Sequence, residues 1–276
     1  MRWIKRILLF LIILLMGIFL GSILSRIPVG ERIAVLEIKG VITDSTYYVQ
    51  KLEELRKDQS VKAIVLRVDS PGGSVGASQE IYRAVERVRK DGKPVVVSMG
   101  SVAASGGYYV SAPANYILAN PGTITGSIGV IVQHIEYKQL LEKLGIKASA
   151  IKTGQFKDTL SPFRELTPQE REYLQKTIED TYQQFLDAIL RYRKIEKEKL
   201  LEVADGRILT GRQAKELGLV DDLGNIQDAI DKAKELAKVP QARVFYVGES
   251  KGILKKLMGN DMDSIFNGFM FYYLMR

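Results

Sequence analysis

The residue best suited to chemistry in this sequence is Ser105, which lies in a run of very small side chains. An apolar segment at residues 94–97 precedes the run, and Ala104 and Gly106 flank the serine. Small residues let the backbone come close to another chain or to a substrate. The pattern predicts a nucleophilic serine at the point where a buried strand gives way to a helix.

A serine hydroxyl is a weak nucleophile and needs a base. The chain has no cysteine and one histidine, His134, so a thiolate nucleophile and a multi-histidine metal site are excluded. A lone histidine is more often structural than catalytic. The other candidate is a lysine kept neutral by burial, which lowers its pKa. Lys157 fits best because it lies in a polar loop after a predicted strand, although the neighbouring anion of Asp158 would favour its charged form.

A second glycine-rich segment could stabilise negative charge. The residues Asp-Ser-Pro-Gly-Gly at 69–73 follow a predicted strand, and their backbone N–H groups are free to face a substrate. Together, the N–H groups of Gly73 and Gly106 could hold the oxyanion of an acyl-transfer reaction. A simple turn after a strand is the alternative interpretation.

Alternating strands and helices must position these residues, and the alternation predicts an α/β domain with mostly right-handed crossovers. The apolar strand at 63–68 is typical of a parallel sheet buried on both faces. The predicted strands span residues 33–38, 63–68, 95–98, 116–119, 147–152 and 242–247, with a strand-like segment at 125–132. The predicted helices span residues 45–57, 78–90, 102–111, 137–144, 167 to beyond 192, 210–218 and 226–237.

The N-terminus predicts one transmembrane helix. Residues 7–24 carry no charge and would span about 27 Å as a helix. Arg2, Lys5 and Arg6 precede them, which places the N-terminus in the cytoplasm and the catalytic domain outside. We favour an uncleaved anchor, and a cleaved signal peptide is the alternative. The predicted organisation is an anchor at 1–27, a catalytic domain at 28–250 and an apolar, aromatic tail at 251–276.

The charge is ordinary once the N-terminus is set aside. The net charge is +8, but residues 31–276 contain 36 basic and 32 acidic residues. No basic run with interleaved aromatic residues suggests a nucleic-acid partner. The tail could pack on the domain, lie at the membrane interface or occupy a groove of another subunit.

Four segments in this order resemble the signal peptide peptidase A (SppA) family of the Clp protease and crotonase superfamily. They are Asp-Ser-Pro-Gly-Gly at 69–73, Gly-Ser-Val-Ala-Ala-Ser-Gly-Gly-Tyr-Tyr at 100–109, Thr-Gly-Ser-Ile-Gly-Val at 125–130, and Lys157-Asp158 with Ser161-Pro162. The resemblance covers roughly residues 30–240 and implies the short, single-domain form.

The resemblance implies a membrane-bound serine endopeptidase that degrades remnant signal peptides with a Ser/Lys dyad, without metal or cofactor. Ser105 would be the nucleophile and Lys157 the general base. Gly73 and Gly106 would bind the oxyanion, and Ser127 would orient the lysine. The resemblance also implies a Clp protease/crotonase-like fold of repeated ββα units that assembles as a homo-oligomeric ring, in which Lys157 could serve Ser105 of an adjacent subunit.

Three other functions compete with this one. A coenzyme A-binding enzyme of the crotonase type would share the fold but would use acids at its site. A Clp-type protease would use a Ser/His/Asp triad, for which His134 is the only available histidine. A non-catalytic membrane scaffold would use the small residues for packing alone.

Overall fold

The computed structural model describes residues 30–248, together with the isolated positions 3, 14 and 16. Eight strands form its central sheet: β1 (Arg32–Lys39), β2 (Val61–Ser70), β3 (Val95–Ala104), β4 (Tyr116–Ala119), β5 (Ile124–Gly126), β6 (Ile208–Thr210), β7 (Asp222–Leu223) and β8 (Arg243–Val247). The strand order is β6-β5-β3-β2-β1-β8, with β4 beside β3 and β7 beside β4. Within these residues every strand pair is parallel except β5 with β6.

Eight helices lie in the described range 30–248. They are α1 (Thr46–Lys57), α2 (Val75–Lys90), α3 (Gly106–Ser111), α4 (Lys138–Lys143), α5 (Pro168–Leu190), α6 (Lys197–Val203), α7 (Gly211–Glu216) and α8 (Ile226–Ala237). The prediction of an α/β domain is therefore confirmed, and the sheet is mixed because β6 pairs antiparallel with β5.

Both faces of the sheet are buried, which explains the nearly continuous apolar strands. In β1, Leu36 and Ile38 join the larger core, which α2 and α5 cover. Ile33 and Val35 point to the other face, where they pack with Ile230 and its neighbours on α8. Side chains of a strand alternate between faces, so a strand covered on both sides is apolar at most positions.

Helix α5 begins where its sequence predicts. Thr167 is the N-cap, and its hydroxyl accepts a hydrogen bond from the Glu170 N–H at 3.2 Å. The Glu170 carboxylate in return accepts from the Thr167 N–H at 2.9 Å. This reciprocal capping box satisfies two N–H groups that the helix itself leaves unpaired. The helix ends at Leu190, earlier than predicted.

Several predicted boundaries are wrong, and two of them concern the site. Strand β3 continues to Ala104, so residues 102–104 belong to the strand and the helix begins only at Gly106. The strand predicted at 147–152 is absent, and those residues are exposed and irregular. Of the segment at 125–132, only the part up to Gly126 is a strand. Helix α6 was not predicted.

The predicted anchor at 7–24 and the tail at 251–276 lie outside the described residues. Among the residues that the structure does describe, no helix combines the length and apolar character needed to cross a bilayer.

Candidate active site

Ser105 occupies a sharp turn between β3 and α3. Its backbone has φ 51° and ψ −120°, a conformation that residues with a side chain rarely adopt. The Ser105 N–H donates to the Gly126 carbonyl at 2.9 Å, and its carbonyl accepts from the Tyr109 N–H at 2.9 Å. Such strain costs about 1–3 kcal/mol and persists where the surroundings fix it, which is common at functional sites.

The loop after β2 packs directly against this turn, and only glycine permits the approach. A Cβ atom on Gly72 would lie 2.6 Å from the Gly106 nitrogen and 2.9 Å from the Ser105 Cβ. A Cβ atom on Gly106 would lie 3.2 Å from the Gly73 nitrogen. The two glycine-rich segments recognised in the sequence therefore form one site, although 32 residues separate Gly73 from Ser105.

Two N–H groups at this contact are free to bind a ligand. Within residues 30–248, neither the Gly73 N–H nor the Gly106 N–H donates a hydrogen bond. Gly106 is the first residue of α3, so its N–H has no acceptor inside the helix. Unpaired donors beside a nucleophile are what an oxyanion requires.

A narrow pocket opens beside Ser105. Its volume is about 40 Å³, well below the roughly 300–1,000 Å³ of typical ligand pockets. Its lining includes Val75 and Ser78 from α2, Tyr109 from α3 and Phe185 from α5. The rings of Tyr109 and Phe185 meet edge to face with centroids 4.9 Å apart. A pocket of this size accepts only a small side chain.

Ser127 lies next to the serine turn. Strand β5 pairs with β3 so that Gly126 stands opposite Ala104, and Ser127 follows directly. Ser127 also has a positive φ, 48°, and its N–H donates to the Arg207 carbonyl at 2.8 Å. Ser105, Ser127 and Lys238 are the non-glycine residues with positive φ in the described chain. Two of these strained residues thus flank one site.

Comparison with known proteins identifies the family of the chain. The model of peptidase family S49 matches residues 87–240, more than half of the chain and including Ser105. The chain belongs to peptidase family S49. It is a serine-type protease. A Clp protease model matches residues 25–124 of this S49 protease, in accord with a Clp protease/crotonase-like α/β fold.

Individual relatives support the same assignment. MJ0651 of Methanocaldococcus jannaschii, provisionally named a protease, is 45% identical over 76% of this chain and 68% of its own length. An Enterococcus faecium protein provisionally named signal peptide peptidase SppA is 34% identical over 84% of this chain and 71% of its own. A mutant of the membrane-bound stomatin-specific protease 1510-N has the same fold. Its TM-score is 0.50, with 17% identity, over 80% of this chain and 99% of that one.

Lys157 makes no hydrogen bond to Ser105 within the described residues of one chain of this S49 protease. The lysine is exposed, lies in a succession of turns and is absent from the lining of the Ser105 pocket. In the described residues of a single chain, no hydrogen bond joins its ammonium group to Ser105 or Ser127. The strand expected to lead into its loop does not form, so the premise that placed the lysine at a strand end is wrong.

His134 also makes no hydrogen bond to Ser105 in the described part of the chain. It does not line the Ser105 pocket, and both of its ring nitrogens are shielded from solvent. Neither nitrogen has a hydrogen-bond partner in the range 30–248. A histidine that activates a serine must accept its hydrogen bond, and the described residues 30–248 provide no such contact.

The sequence did not reveal the residues that shape the pocket. Phe185 reads as an ordinary core residue of a helix, and it reaches the site only because α5 returns across the domain. Ser78 contacts the serine turn from α2, and a Cβ atom on Gly106 would lie 2.5 Å from its hydroxyl. Gly72 could have been found, since it forms a pair with Gly73 in a recognised motif.

Proposed function

We propose that this S49 protease is a membrane-anchored endopeptidase that degrades released signal peptides with Ser105 as nucleophile and Lys157 as general base. The observation that carries the proposal is the strained turn at Ser105 with the unpaired N–H groups of Gly73 and Gly106 beside it. The Enterococcus faecium relative carries the same activity in its name. The anchor is the uncharged segment at residues 7–24.

In the proposed reaction, neutral Lys157 takes the proton of the Ser105 hydroxyl as its oxygen bonds to the substrate carbonyl carbon. The Gly73 and Gly106 N–H groups bind the resulting oxyanion. The lysine then gives the proton to the leaving amine as the C–N bond breaks. Water hydrolyses the acyl-enzyme with the lysine again acting as base, and this step regenerates the serine. Ser127 orients the lysine through its hydroxyl.

A second copy of the chain supplies the lysine in this proposal. We call residues 130–163 the arm, and many of its large apolar side chains face solvent: Ile131, Val132, Ile135, Tyr137, Leu140, Leu144, Ile146, Ile151, Phe156, Leu160 and Phe163. Apolar surface this extensive is typical of a protein interface. The arm carries Lys157, so an arm packed on a neighbouring subunit would bring the lysine to that subunit's Ser105. A homo-oligomeric ring follows if the contact repeats.

The purified full-length protein should cleave a synthetic signal peptide with alanine on the acyl side of the cut. Replacing that alanine by phenylalanine should lower kcat/KM about 100-fold, because the 40 Å³ pocket beside Ser105 has no room for a ring. Mass spectrometry of the products identifies the cut bond. A folded protein is the control and should remain intact, because it offers no extended segment.

Equal cleavage of the two peptides would contradict the role of the pocket. Absence of cleavage of either peptide, with Ser105 still reactive towards a fluorophosphonate, would contradict signal peptides as the substrate class.

A mixing experiment tests whether two subunits form each site. Ser105→Ala and Lys157→Ala subunits, co-expressed with different tags and purified through both, should together recover activity that neither has alone. With equal, random mixing in a ring, about one quarter of the sites would pair an intact serine with an intact lysine. Subunits of Ser105→Ala mixed with the Ser105→Ala/Lys157→Ala double variant should stay inactive. A mixed oligomer without activity would show that each dyad belongs to one chain.

A further inference from the structure

The loop that carries Lys157 has little structure to fix its direction. Its backbone hydrogen bonds are three bonds of single turns, such as Lys157 N–H to the Gly154 carbonyl at 3.2 Å. Its side-chain bonds are equally local: Lys152 Nζ donates to the Gln155 carbonyl at 3.0 Å and to the Asp158 carboxylate, and the Thr159 hydroxyl donates to the Phe156 carbonyl at 2.8 Å. Most residues from 151 to 157 are exposed. A catalytic base must be held within a fraction of an ångström of its productive position. Some contact outside these turns must therefore hold the loop.

Arg164 supplies such a contact at the residue next to the lysine. Its Nε and one terminal nitrogen donate to the two carboxylate oxygens of Asp158 at 2.9 and 2.7 Å. The same terminal nitrogen donates to the Asp158 backbone carbonyl at 3.0 Å. A planar guanidinium that engages both the carboxylate and the main chain fixes orientation as well as distance.

The other side of the Arg164 guanidinium forms an ion pair with Glu170 in the first turn of α5. Its terminal nitrogens donate to the two carboxylate oxygens of Glu170 at 2.8 and 2.5 Å. The Glu170 side chain is 2% exposed and forms the capping box of α5. Further along, α5 contributes Phe185 to the pocket of Ser105. Arg164 thus ties the lysine loop to the helix that also lines the serine site.

The same contacts control the negative charge beside the lysine. An uncompensated Asp158 carboxylate would favour the protonated form of its neighbour. Arg164, and then Lys152, bind this carboxylate and hold the pKa of Asp158 well below its usual range. The carboxylate therefore remains ionised but is compensated by two cations, which answers the objection that the sequence raises against Lys157.

We propose that Arg164 is a positioning residue for Lys157. It fastens the lysine loop to the N-terminus of α5, and it compensates the charge of Asp158. This role rests on the proposed function, because only there does Lys157 act as a base. Arg164 itself does not contact the substrate in this proposal.

Two substitutions separate the mechanical from the electrostatic part. Arg164→Gln should lower kcat about tenfold or more with little change in KM. Because the base must be neutral, activity rises with pH as Lys157 loses its proton, and we call this part of the pH–rate profile the rising limb. Arg164→Gln should move the rising limb up by about one pH unit, because the Asp158 charge then favours the protonated lysine. Asp158→Ala breaks the contact with Arg164 that holds the lysine loop, so kcat should fall. It also removes the carboxylate, so the rising limb of the pH–rate profile should stay in place or move to lower pH.

The double variant and a conservative one complete the test. In the double variant Arg164→Gln/Asp158→Ala, the rising limb should return to its wild-type pH or to a lower pH. Its kcat should stay low, since both substitutions break the same contact between Arg164 and Asp158. Arg164→Gln leaves buried Glu170 without its cation. Arg164→Lys therefore serves as a second variant that keeps a charge there but cannot form the fork, and it should have intermediate kcat. Thermal unfolding confirms that each variant is folded.

Arg56 offers a matched control. It also forks between two carboxylates, those of Glu53 and Asp91, and its side chain is 25% exposed against 28% for Arg164. Arg56→Gln should leave kcat and the pH profile unchanged.

The outcomes distinguish this proposal from the proposed function. Full activity of Lys157→Ala would overturn the dyad and with it the role of Arg164. An inactive Lys157→Ala together with unchanged kcat in Asp158→Ala and Arg164→Lys would overturn the positioning role alone. If the rising limb of the pH–rate profile moved to higher pH in Asp158→Ala as it does in Arg164→Gln, the claim that Arg164 compensates the Asp158 charge would be overturned.

Discussion

Replacing Ser105 by alanine should abolish peptide hydrolysis by this S49 protease and leave its stability nearly unchanged. Removal of a catalytic serine costs about 10³-fold to 10⁶-fold in kcat. Alanine keeps the Cβ and can occupy the same strained backbone, whose hydrogen bonds involve only main-chain atoms. Hydrolysis of a fluorogenic peptide measures the loss, and thermal unfolding measures the stability.

The matching base substitution decides between the two mechanisms. Lys157→Ala should lose activity to a similar degree, whereas His134→Ala should keep it. Full activity in Lys157→Ala would contradict the dyad. Loss of activity in a folded His134→Ala variant would support a Ser/His/Asp triad instead.

Covalent labelling gives an independent measure of the nucleophile. A fluorophosphonate should modify Ser105 and should fail to modify the Ser105→Ala variant. Ser78 is the internal control, because it lines the same pocket but lies on regular helix and donates its hydroxyl proton to the Ser74 carbonyl at 2.9 Å. Modification of Ser78 in place of Ser105 would show that the strained turn does not create the nucleophile.

The sequence predicted correctly those elements whose formation depends on residues close to one another in the chain. The runs at β1 and β2 are apolar because both faces of the sheet are covered, and no distant information is needed to recognise this. Thr167 and Glu170 identify the start of α5 because a capping box is formed by residues three apart. These elements were found from their own residues.

Elements that depend on distant partners were predicted less well. Residues 147–152 have a strand-like composition, yet no other described strand pairs with them. A strand requires a neighbour, and its propensity is largely a measure of that neighbour's packing. Conversely, Ala103 and Ala104 look like helix formers but extend β3, because β5 pairs with both of them and β2 pairs with Ala103.

The candidate site also has parts that local sequence patterns predicted and a part that they did not. The two glycine-rich segments predicted that Gly73 and Gly106 meet near Ser105, and the structure places them in contact. Ser127 lies beside them through the pairing of β3 and β5. Their catalytic roles stay predictions. The position of Lys157 relative to Ser105 was not predicted, because the strand expected to lead into its loop does not form.

Gly73→Ala should disrupt both the oxyanion site and the packing of its loop. A Cβ atom at this position would lie 2.2 Å from the Ile42 carbonyl oxygen and 2.7 Å from the Ile42 nitrogen. The clash falls on main chain, which cannot rotate away. Ile42 is also bound to this loop on both sides, through Ile42 N–H to the Gly72 carbonyl at 2.8 Å and Ser74 N–H to the Ile42 carbonyl at 2.7 Å. Forcing the loop outward therefore breaks these bonds and moves the Gly73 N–H.

Two measurements follow from that displacement. Loss of one oxyanion donor lowers kcat about 10²-fold to 10³-fold, and overpacking of this kind lowers the free energy of unfolding by about 2 kcal/mol or more. Urea unfolding and peptide hydrolysis measure these quantities separately. KM should change much less than kcat, because the donor binds the oxyanion more tightly than the ground-state carbonyl.

Gly76→Ala is the matched control, because it adds the same methyl group near the same loop without a clash. Gly76 is three residues further on, in the first turn of α2, and an added Cβ there would have no atom within 4 Å beyond its chain neighbours and the backbone of its own helix turn. Alanine there should leave kcat unchanged and stabilise the protein slightly, because it restricts the unfolded chain and favours helix. If Gly73→Ala kept wild-type kcat while Gly76→Ala behaved as expected, the Gly73 N–H would not be an oxyanion donor. If both variants lost activity alike, the loss would reflect general sensitivity of this loop and helix to added bulk.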